Sequence, residues 1–366
     1  MFGTRPEAIK LCPVVLHLRQ AQPDWTVRVC VTGQHRDMLD QVLTVFGVEP
    51  DYDLQVMEPG QTLAGAAARI LTALEDVLRQ DLPTMVIVQG DTTTTFAGAL
   101  AAFYAKIPVG HVEAGLRTKD MAEPFPEEMN RVLTTRLAAL HFAPTETARQ
   151  HLLAEGVRSD HVFVTGNPGI DAVLQIRERM ERGAVERHPL TLASDRKMIL
   201  VTVHRRESFG EGIENICRAL GELARRPDVE IVLPVHPNPH VGGVVREWLG
   251  GLPSVHLLPP LGYVDFTDLM CRAYLLLTDS GGVQEEGPSL SKPVLVLREK
   301  TERPEAVEAG TARLVGRDPE RIIRETELLL DNPAEYQSRA YRHNPYGDGH
   351  ASERIANILR DKLHPI

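Results

Sequence analysis

A short turn at residues 280–282, Ser-Gly-Gly, combines residue types that suit phosphate binding. It follows an apolar run at 274–278 that predicts a buried strand of a parallel sheet, and it precedes a predicted helix. Adjacent glycines let the backbone approach a ligand, and the free amides of a helix N-terminus attract an anion. Glu286 lies one helical turn beyond Gly282, where its carboxylate could accept hydrogen bonds from a ribose diol. The turn suggests a nucleotide diphosphate site, although an ordinary strand-to-helix turn would show the same pattern.

Three carboxylates stand near the ends of other predicted strands, where they could act as acids and bases. Asp91 and Glu113 each follow an apolar run, and Glu127 lies on the next predicted loop. Asp91 could instead cap a helix, and Glu127 with Glu128 could be a solvated pair. Glu113 is harder to explain by structure alone, because a buried carboxylate needs a partner or a task.

Basic residues near the predicted strand ends suggest a local anion pocket in an acidic chain. The residues are Arg5, Lys10, Arg131, His204, Arg205, Arg206 and Arg303. His236 and His240 lie beside two prolines, where imidazoles are more often turn residues than metal ligands. We therefore expect no metal.

The order of predicted elements indicates an α/β fold with two doubly wound, Rossmann-like domains and a central cleft. Ligands of such sheets bind at the carboxyl ends of the strands, where the residues above are found. The predicted strands are 26–32, 85–89, 107–115, 141–143 and 161–169, then 198–204, 230–236, 255–258, 274–278 and 294–297. The predicted helices include 9–18, 36–45, 63–78, 96–104 and 130–140.

Length and composition exclude several classes of protein. A chain of 366 residues is long enough for about two domains, and a net charge of -10 disfavours a nucleic-acid or membrane-surface binder. No apolar run approaches membrane-spanning length, and no signal-peptide pattern is present. Four scattered cysteines indicate reduced thiols, so we expect a cytoplasmic protein. The sequence also lacks the nucleotide and hydrolase motifs G-x-G-x-x-G, G-x-x-x-x-G-K-[ST], H-E-x-x-H and G-x-S-x-G.

Nine motifs together carry a resemblance to a known family. In the first half they are residues 3–7 (Gly-Thr-Arg-Pro-Glu), 33–36 (Gly-Gln-His-Arg), 90–94 (Gly-Asp-Thr-Thr-Thr), 110–117 (Gly-His-Val-Glu-Ala-Gly-Leu-Arg) and 126–128 (Pro-Glu-Glu). In the second half they are 202–207 (Thr-Val-His-Arg-Arg-Glu), 278–282 (Thr-Asp-Ser-Gly-Gly), 284–286 (Gln-Glu-Glu) and 301–305 (Thr-Glu-Arg-Pro-Glu). They resemble the bacterial non-hydrolysing UDP-N-acetylglucosamine 2-epimerases, which have the two-domain GT-B architecture.

The resemblance implies reversible conversion of UDP-GlcNAc to UDP-ManNAc for cell-surface polysaccharide, without a cofactor. In that family UDP is eliminated to leave 2-acetamidoglucal and is then added back. It implies catalytic roles for Asp91, Glu113, Glu127 and His204. It implies substrate contacts for Arg5, Lys10, Arg131, Phe266, Ser280, Gly281, Gly282, Glu286 and Arg303.

The resemblance also implies a second, allosteric UDP-GlcNAc site and a homodimer. The residues at the second site would be Gln34, Arg69, Glu128, Arg205 and His236. We expect domain boundaries at 1–168 and 169–349, with a final helix at about 350–366 that returns to the first domain.

Two features depart from the family pattern. Only Met1 and Phe2 precede the 3–7 motif, so we expect a weakened first strand and a late start. Pro168 and Gly169 replace Thr and Val of the family's Gly-Asn-Thr-Val-Ile-Asp motif, which changes the expected hinge.

Three alternative functions remain open from the sequence. A hydrolysing relative would release ManNAc and UDP while using the same carboxylates. A GT-B glycosyltransferase would share the diphosphate site but would need an acceptor. A nucleotide-sugar-binding regulator would have no use for three intact carboxylates.

Overall fold

The computed structural model describes residues 1–33, 36–56, 58, 60–193, 195–205 and 208–363. It forms two compact units, one of Met1–Ala172 with Tyr346–Ile366 and the other of Val173–Pro345. Both contain parallel strands joined through helices, as predicted. No helix among the described residues is long and apolar enough to cross a bilayer.

The first unit has two groups of parallel strands. Its strands are β1 (Cys30–Val31), β2 (Tyr52–Asp53), β3 (Val86–Gln89), β4 (Val109–Val112), β5 (Leu140–Ala143) and β6 (Val162–Val164). Its helices begin with α1 (Arg5–Ala21), α2 (Arg36–Phe46), α3 (Leu63–Asp81), α4 (Thr93–Tyr104), α5 (Glu127–Leu137) and α6 (Glu146–Ala154), followed by α7 (Pro168–Glu181), which continues into the second unit. The strand orders are β1-β2 and β3-β4-β5-β6.

Residues 1 and 2 connect these two groups of strands. Phe2 forms a parallel bridge with Val31, and the amino group of Met1 donates to the carbonyl oxygen of Ile87 on β3 at 2.9 Å. The predicted weak first strand is therefore a single paired residue. We can count Phe2 as strand 1 and number the later strands in chain order. The order across the sheet is then 3-2-1-4-5-6-7, and it reverses direction between Phe2 and β3.

The predicted strand at 26–32 is wrong in extent, because only β1 forms there. The backbone N–H of Val29 donates to the side chain of Asp51 at 2.7 Å, so it cannot join a strand ladder. This side-chain contact delays the start of the strand to Cys30.

The second unit has one six-stranded parallel sheet in the order β12-β11-β10-β7-β8-β9. Its strands are β7 (Lys197–Thr202), β8 (Val229–Pro234), β9 (Val255–Leu258), β10 (Leu275–Thr278), β11 (Val294–Val296) and β12 (Ala312–Leu314). Its helices are α8 (Glu211–Leu223), α9 (Pro239–Leu249), α10 (Tyr263–Arg272), α11 (Gly281–Ser289), α12 (Pro304–Glu308), α13 (Pro319–Asp331) and α14 (Pro333–Ala340), after which α15 (Ala351–Leu363) returns to the first unit. Every residue of β10 is buried, which confirms the strand predicted before the Ser-Gly-Gly turn.

This order reverses direction between β7 and β10. In doubly wound sheets, the carboxyl ends of the strands at the reversal form a crevice for ligands. Residue 204 follows β7 and residues 279–282 follow β10. In the first unit, residues 3–5 follow Phe2 and residues 90–91 follow β3. In each unit, the strand order therefore identifies one pair of turns as the expected ligand-binding crevice.

Candidate active-site residues

Asp91, at the carboxyl end of β3, is held from two sides. Its carboxylate accepts a hydrogen bond from Arg131, and its backbone oxygen accepts one from Asn130 at 2.9 Å. Asp91 does not cap α4, because Thr92 does so by accepting the N–H of Thr95. The helix-capping alternative for Asp91 is therefore wrong.

Arg131 connects Asp91 to Glu128, a residue predicted for the second site. Arg131 Nη1 lies 3.1 Å from Glu128 Oε2, and both side chains are buried. The other oxygen of Glu128 accepts the backbone N–H groups of Thr118 and Lys119, each at 3.0 Å. Glu128 is therefore not a solvated loop residue.

Glu113, after β4, is buried and has φ +63°. This left-handed backbone conformation is uncommon for a residue with a side chain and is concentrated at functional sites. One carboxylate oxygen accepts hydrogen bonds from Lys10 Nζ at 2.5 Å and Asn167 Nδ2 at 3.0 Å. The other accepts one from Gln89. The fold thus holds this carboxylate in one position with donors from three separate elements.

Glu127 is the first residue of α5, and not a loop residue as predicted. The helix starts three residues earlier than expected, directly after Pro126. A carboxylate in the first turn is stabilised by the helix dipole. Glu127 is partly exposed, unlike its neighbour Glu128.

Arg5 is the first residue of α1. The carboxylate of Glu7 joins the turn that contains Arg5 to the turn after β3 by hydrogen bonds. One oxygen of Glu7 accepts the N–H groups of Gly3 and Thr4 at 3.0 and 2.7 Å. The other accepts the hydroxyl of Thr92 at 2.7 Å. Burial raises the pKa of Glu7, an effect that these hydrogen bonds oppose.

Gly3 allows this close approach of the two turns. A Cβ atom at position 3 would lie 2.1 Å from the hydroxyl of Thr32 and 2.5 Å from that of Thr94. Neither contact is possible for real atoms, so the first residue of the Gly-Thr-Arg-Pro motif has no room for a side chain.

In the second unit, His204 follows β7 and contacts Asp279, which follows β10. Asp279 is fully buried, and one of its oxygens accepts the backbone N–H groups of His204 and Arg205, each at 2.8 Å. Its other oxygen lies 2.7 Å from His204 Nδ1. Burial raises the pKa of Asp279, but His204 and these backbone donors outweigh it and lower the pKa overall.

His236, predicted for the second site, stacks on His204 with ring centroids 6.1 Å apart. Its Nδ1 accepts the N–H of Asn238 at 3.2 Å, which is the contact of a turn residue. Burial and the neighbouring His204 lower its pKa. Among the described residues there is no group of three His, Cys, Asp or Glu that could hold a metal ion.

The turn at 280–282 starts α11 as predicted. Ser280 is the N-cap residue, but its side chain makes no capping hydrogen bond, so the first amides of α11 are not covered by it. Arg303 lies directly over this end, because a Cβ atom at Gly281 would be 2.5 Å from its guanidinium carbon. A Cβ atom at Gly282 would lie 3.8 Å from Glu286 Oε1. The predicted diphosphate and ribose residues therefore share one helix end.

Glu302 holds three arginines beside this helix end. Its oxygens lie 2.7 Å from Arg303, 2.6 Å from Arg298 and 3.2 Å from Arg205. Burial opposes ionisation of Glu302, but these positive charges outweigh it and lower the pKa to about 2. Arg303 also donates to Glu285 at 2.6 Å, so its guanidinium is fixed from two sides.

The remaining predicted residues are more widely distributed. Phe266 lies partly buried in the first turns of α10. Arg69, on α3, donates to the carbonyl oxygen of Val56 at 2.8 Å and pairs with Glu58 at 3.2 Å. Gln34 lies outside the described residues.

Sequence reasoning missed several residues that hold the predicted ones in place. Gln89 and Asn167 position Glu113, and Asp279 positions His204. Each stands at or just after the carboxyl end of a strand, and this location could have singled them out. Glu7 and Glu302 lie inside motifs that were recognised, but their contacts depend on the folded chain.

Comparison with known proteins shows similarity over nearly the whole chain. A family model described as UDP-N-acetylglucosamine 2-epimerase matches residues 18–360. The UDP-N-acetylglucosamine 2-epimerase of Salmonella typhimurium is 54% identical over 98% of this chain and 97% of its own, and that of Escherichia coli K12 is 54% identical over 99% and 97%.

Solved structures are also similar to this chain over nearly its whole length. The UDP-GlcNAc 2-epimerase of Neisseria meningitidis, bound to UDP-GlcNAc, matches with a TM-score of 0.89 and 49% identity over 98% of both chains. The Methanocaldococcus jannaschii enzyme, in complex with UDP-GlcNAc and UDP, matches with a TM-score of 0.78 and 35% identity over 98% of both chains. These matches confirm the predicted fold class.

Proposed function

Because the chain belongs to the UDP-N-acetylglucosamine 2-epimerase family, it epimerises C2 of this nucleotide sugar, and we propose that it does so by eliminating UDP and adding it back. The observation that carries the proposal is the pair of cation-held carboxylates, Asp91 and Glu113, on adjacent parallel strands of one unit. Within the second unit, the N-terminus of α11 lies against the guanidinium of Arg303, an arrangement that suits a diphosphate.

The reaction needs bond changes at C1 and C2 of the sugar. A base removes the C2 proton and the C1–O bond to UDP breaks, which leaves 2-acetamidoglucal. UDP then forms a new bond at C1, and an acid delivers a proton to C2 from the opposite face. One general base, one general acid and stabilisation of the anionic leaving group suffice for this reaction, and no redox cofactor is required.

We assign the acid and base roles to Asp91 and Glu127, and an electrostatic role to Glu113. Donors already fill both oxygens of Glu113, so this fixed carboxylate is suited to stabilising positive charge at C1. Glu127 is partly exposed on the first turn of α5, where proton exchange with a substrate is easier. Arg131 Nη1 is paired with Glu128, whereas the buried Nε group makes no hydrogen bond among the described residues and would donate to the bound substrate.

The remaining substrate contacts follow from the residues around α11 and α1. Ser280, Gly281, Gly282, Arg303 and His204 would bind the diphosphate. Glu286 would accept the ribose hydroxyls, because it lies one turn beyond Gly282 on the same face. The list is completed by Arg5, Lys10 and Phe266, with Phe266 beside the uracil.

We further propose that a second UDP-GlcNAc acts as an allosteric activator. Support comes from Glu128 and His236, which contact the site residues Arg131 and His204 directly. Arg205 is linked to Arg303 through their shared partner Glu302. Gln34 and Arg69 complete the proposed second site.

A homodimer in the cytosol is the proposed setting. Phe103 and Tyr104, at the end of α4, are 56% and 70% exposed, which suggests an association surface. Sedimentation equilibrium of Phe103→Ser/Tyr104→Ser beside the unaltered chain tests the dimer.

Burial raises the pKa of Cys12 and Cys217 to about 12, so these free thiols are unreactive and compatible with a reducing compartment.

Incubation of UDP-GlcNAc with the enzyme in deuterium oxide tests the reaction. The C2 hydrogen leaves as a proton, so UDP-ManNAc should carry deuterium at C2 when read by NMR. Asp91→Asn, Glu113→Gln and Glu127→Gln should each lower turnover by ~100-fold or more with UDP affinity largely unchanged.

Glu75→Gln is the matched control, because Glu75 is an exposed carboxylate in the same unit that pairs, among the described residues, with Arg79 on its own helix. It should leave turnover unchanged. A product that retains its original C2 hydrogen would exclude elimination through these carboxylates. Accumulation of free ManNAc would indicate a hydrolysing enzyme.

A further inference from the structure

His204 and Asp279 form a buried contact that constrains where the histidine ring carries its protons. Nδ1 of His204 lies 2.7 Å from one carboxylate oxygen of Asp279. This oxygen is buried, and no described group, His204 included, donates to it with the angles of an ordinary hydrogen bond. The close contact with His204 is therefore an ion-pair contact. Two lone pairs at this distance would repel each other, so Nδ1 must carry a proton.

The second oxygen of Asp279 fixes the backbone on which the ring stands. It accepts the N–H groups of residues 204 and 205, both at 2.8 Å. The N–H of Asp279 itself donates to the carbonyl oxygen of Thr202 at 3.2 Å. One side chain therefore sets both the position of the loop after β7 and the orientation of its imidazole.

We propose that Asp279 is the positioning residue that makes His204 a cationic donor to the substrate diphosphate. With Nδ1–H directed at Asp279, the neutral ring has a lone pair on Nε2, which a phosphate oxygen would repel. Only the imidazolium form has an N–H at Nε2. The negative charge of Asp279 stabilises that form, so binding of the diphosphate favours a protonated His204. This inference rests on the proposed function for the identity of the ligand.

The other ionisable groups around His204 do not replace Asp279. His236 stacks on the ring and, when protonated, would oppose a second positive charge. The guanidinium of Arg205 is directed to Glu302 at 3.2 Å. Asp279 is thus the anion in contact with the ring among the described residues.

The first experiment determines the tautomer in the unaltered, ligand-free protein. Nitrogen-15 NMR of the histidine rings, with His204 assigned by loss of its signals in His204→Gln, should show that the neutral ring carries its proton on Nδ1. A proton on Nε2 would overturn the proposal. The result does not depend on catalysis, so it stands apart from any failure of the proposed function.

The second experiment measures kcat/KM against pH. The value of kcat/KM should fall at high pH, where the imidazolium form is lost, and Asp279→Asn should move this fall to lower pH, because the carboxylate that stabilises the imidazolium is gone. Asp279→Asn should also lower kcat/KM by ~10-fold or more, the value of a charge-assisted hydrogen bond. An unshifted profile would contradict the positioning role.

A double-mutant comparison separates positioning from general destabilisation. In the His204→Gln background, Asp279→Asn should cost little further activity, because the residue through which Asp279 acts is gone. Equal losses in both backgrounds would show that Asp279 acts structurally.

Glu230→Gln is the matched control for these measurements. Glu230 Oε2, on β8, lies 3.2 Å from His256 Nε2, on β9, so this pair stands on other strands of the same unit. Removing this carboxylate should leave the pH profile unchanged. A shift equal to that of Asp279→Asn would mean that any histidine–carboxylate pair of this unit affects the profile.

Discussion

At the scale of single residues, three carboxylates near the candidate site have cationic partners. Asp91 is paired with Arg131, Glu113 with Lys10, and Glu302 with three arginines. A buried ion pair is a weak source of stability, but removal of one partner leaves an uncompensated charge. We expect substitutions at these pairs to affect stability as well as activity.

Glu302 provides the pH-dependent case. Its pKa of about 2 in the folded protein lies below the ordinary value of 4.5. The stability that this carboxylate contributes is therefore present above pH 4.5 and is lost as pH falls through about 2. Glu302→Gln should be less stable than the unaltered chain at neutral pH by at most roughly 3 kcal/mol, and the difference should shrink towards zero at acidic pH. Urea unfolding between pH 2 and pH 7 measures this.

Asp160→Asn is the control for Glu302→Gln. Asp160 also pairs with an arginine, Arg158, but both side chains are more than half exposed. Water screens such a pair, so its removal should give a small difference with little dependence on pH. If the two variants behave alike, the arginine cluster does not stabilise Glu302 selectively.

At the scale of elements, the start of α11 is the proposed diphosphate site, where Gly281 lies against the side chain of Arg303. Gly281→Ala would place a Cβ atom 2.5 Å from the guanidinium carbon of Arg303 and force this side chain away. UDP affinity should fall by about tenfold or more, because a charge-assisted contact to the diphosphate is lost. Isothermal titration calorimetry with UDP measures the change.

Gly221→Ala is the helix control, since a Cβ atom on this glycine of α8 would meet nothing within 4 Å. It should leave UDP affinity unchanged and raise the free energy of unfolding by about 0.5–1 kcal/mol, because alanine favours helix. Equal UDP affinity in Gly281→Ala and the unaltered chain would remove Arg303 from the diphosphate site.

Many of the helices and strands could be predicted from the sequence. Apolar runs such as 274–278 and 294–297 are strands because buried parallel strands have no polar face to interrupt the pattern. β12 was missed, since Ala-Arg-Leu at 312–314 is short and includes the exposed Arg313. The late start of β1 depends on the contact of Val29 with Asp51, which lies 22 residues further along the chain.

The site residues divide in a similar way. Asp91, Glu113 and the turn at 280–282 could be found because strand ends and glycine pairs are visible in a sequence. Their supporting contacts could not, because Lys10 and Asn167 reach Glu113 from positions 103 and 54 residues away. Local patterns specify which turns approach a ligand, and only the folded chain specifies what holds each side chain there.

At the scale of the whole molecule, residues proposed for substrate and activator binding are in direct contact within each unit. Glu128 pairs with Arg131, and His236 stacks on His204. A ligand that touches one member of such a pair changes the environment of the other, which is the physical requirement for coupling. The second site would then favour the catalytic arrangement only when occupied.

The reverse reaction tests this coupling. Turnover of pure UDP-ManNAc should be slow until a trace of UDP-GlcNAc is added, after which it should accelerate. Glu128→Gln should weaken the acceleration, whereas Glu75→Gln should preserve it. Immediate linear turnover of pure UDP-ManNAc by the unaltered enzyme would exclude an obligatory activator.

The first unit consists of two separate stretches of chain, and this has a consequence for its synthesis. Asp171, near the start of α7, accepts the backbone N–H groups of Ala351 and Ser352, which begin α15. A ribosome makes the whole second unit between these partners, a delay on the order of ten seconds or more at ~5–20 residues per second. The second unit can therefore complete its fold on the nascent chain first, while the older part of the protein waits for its last helix.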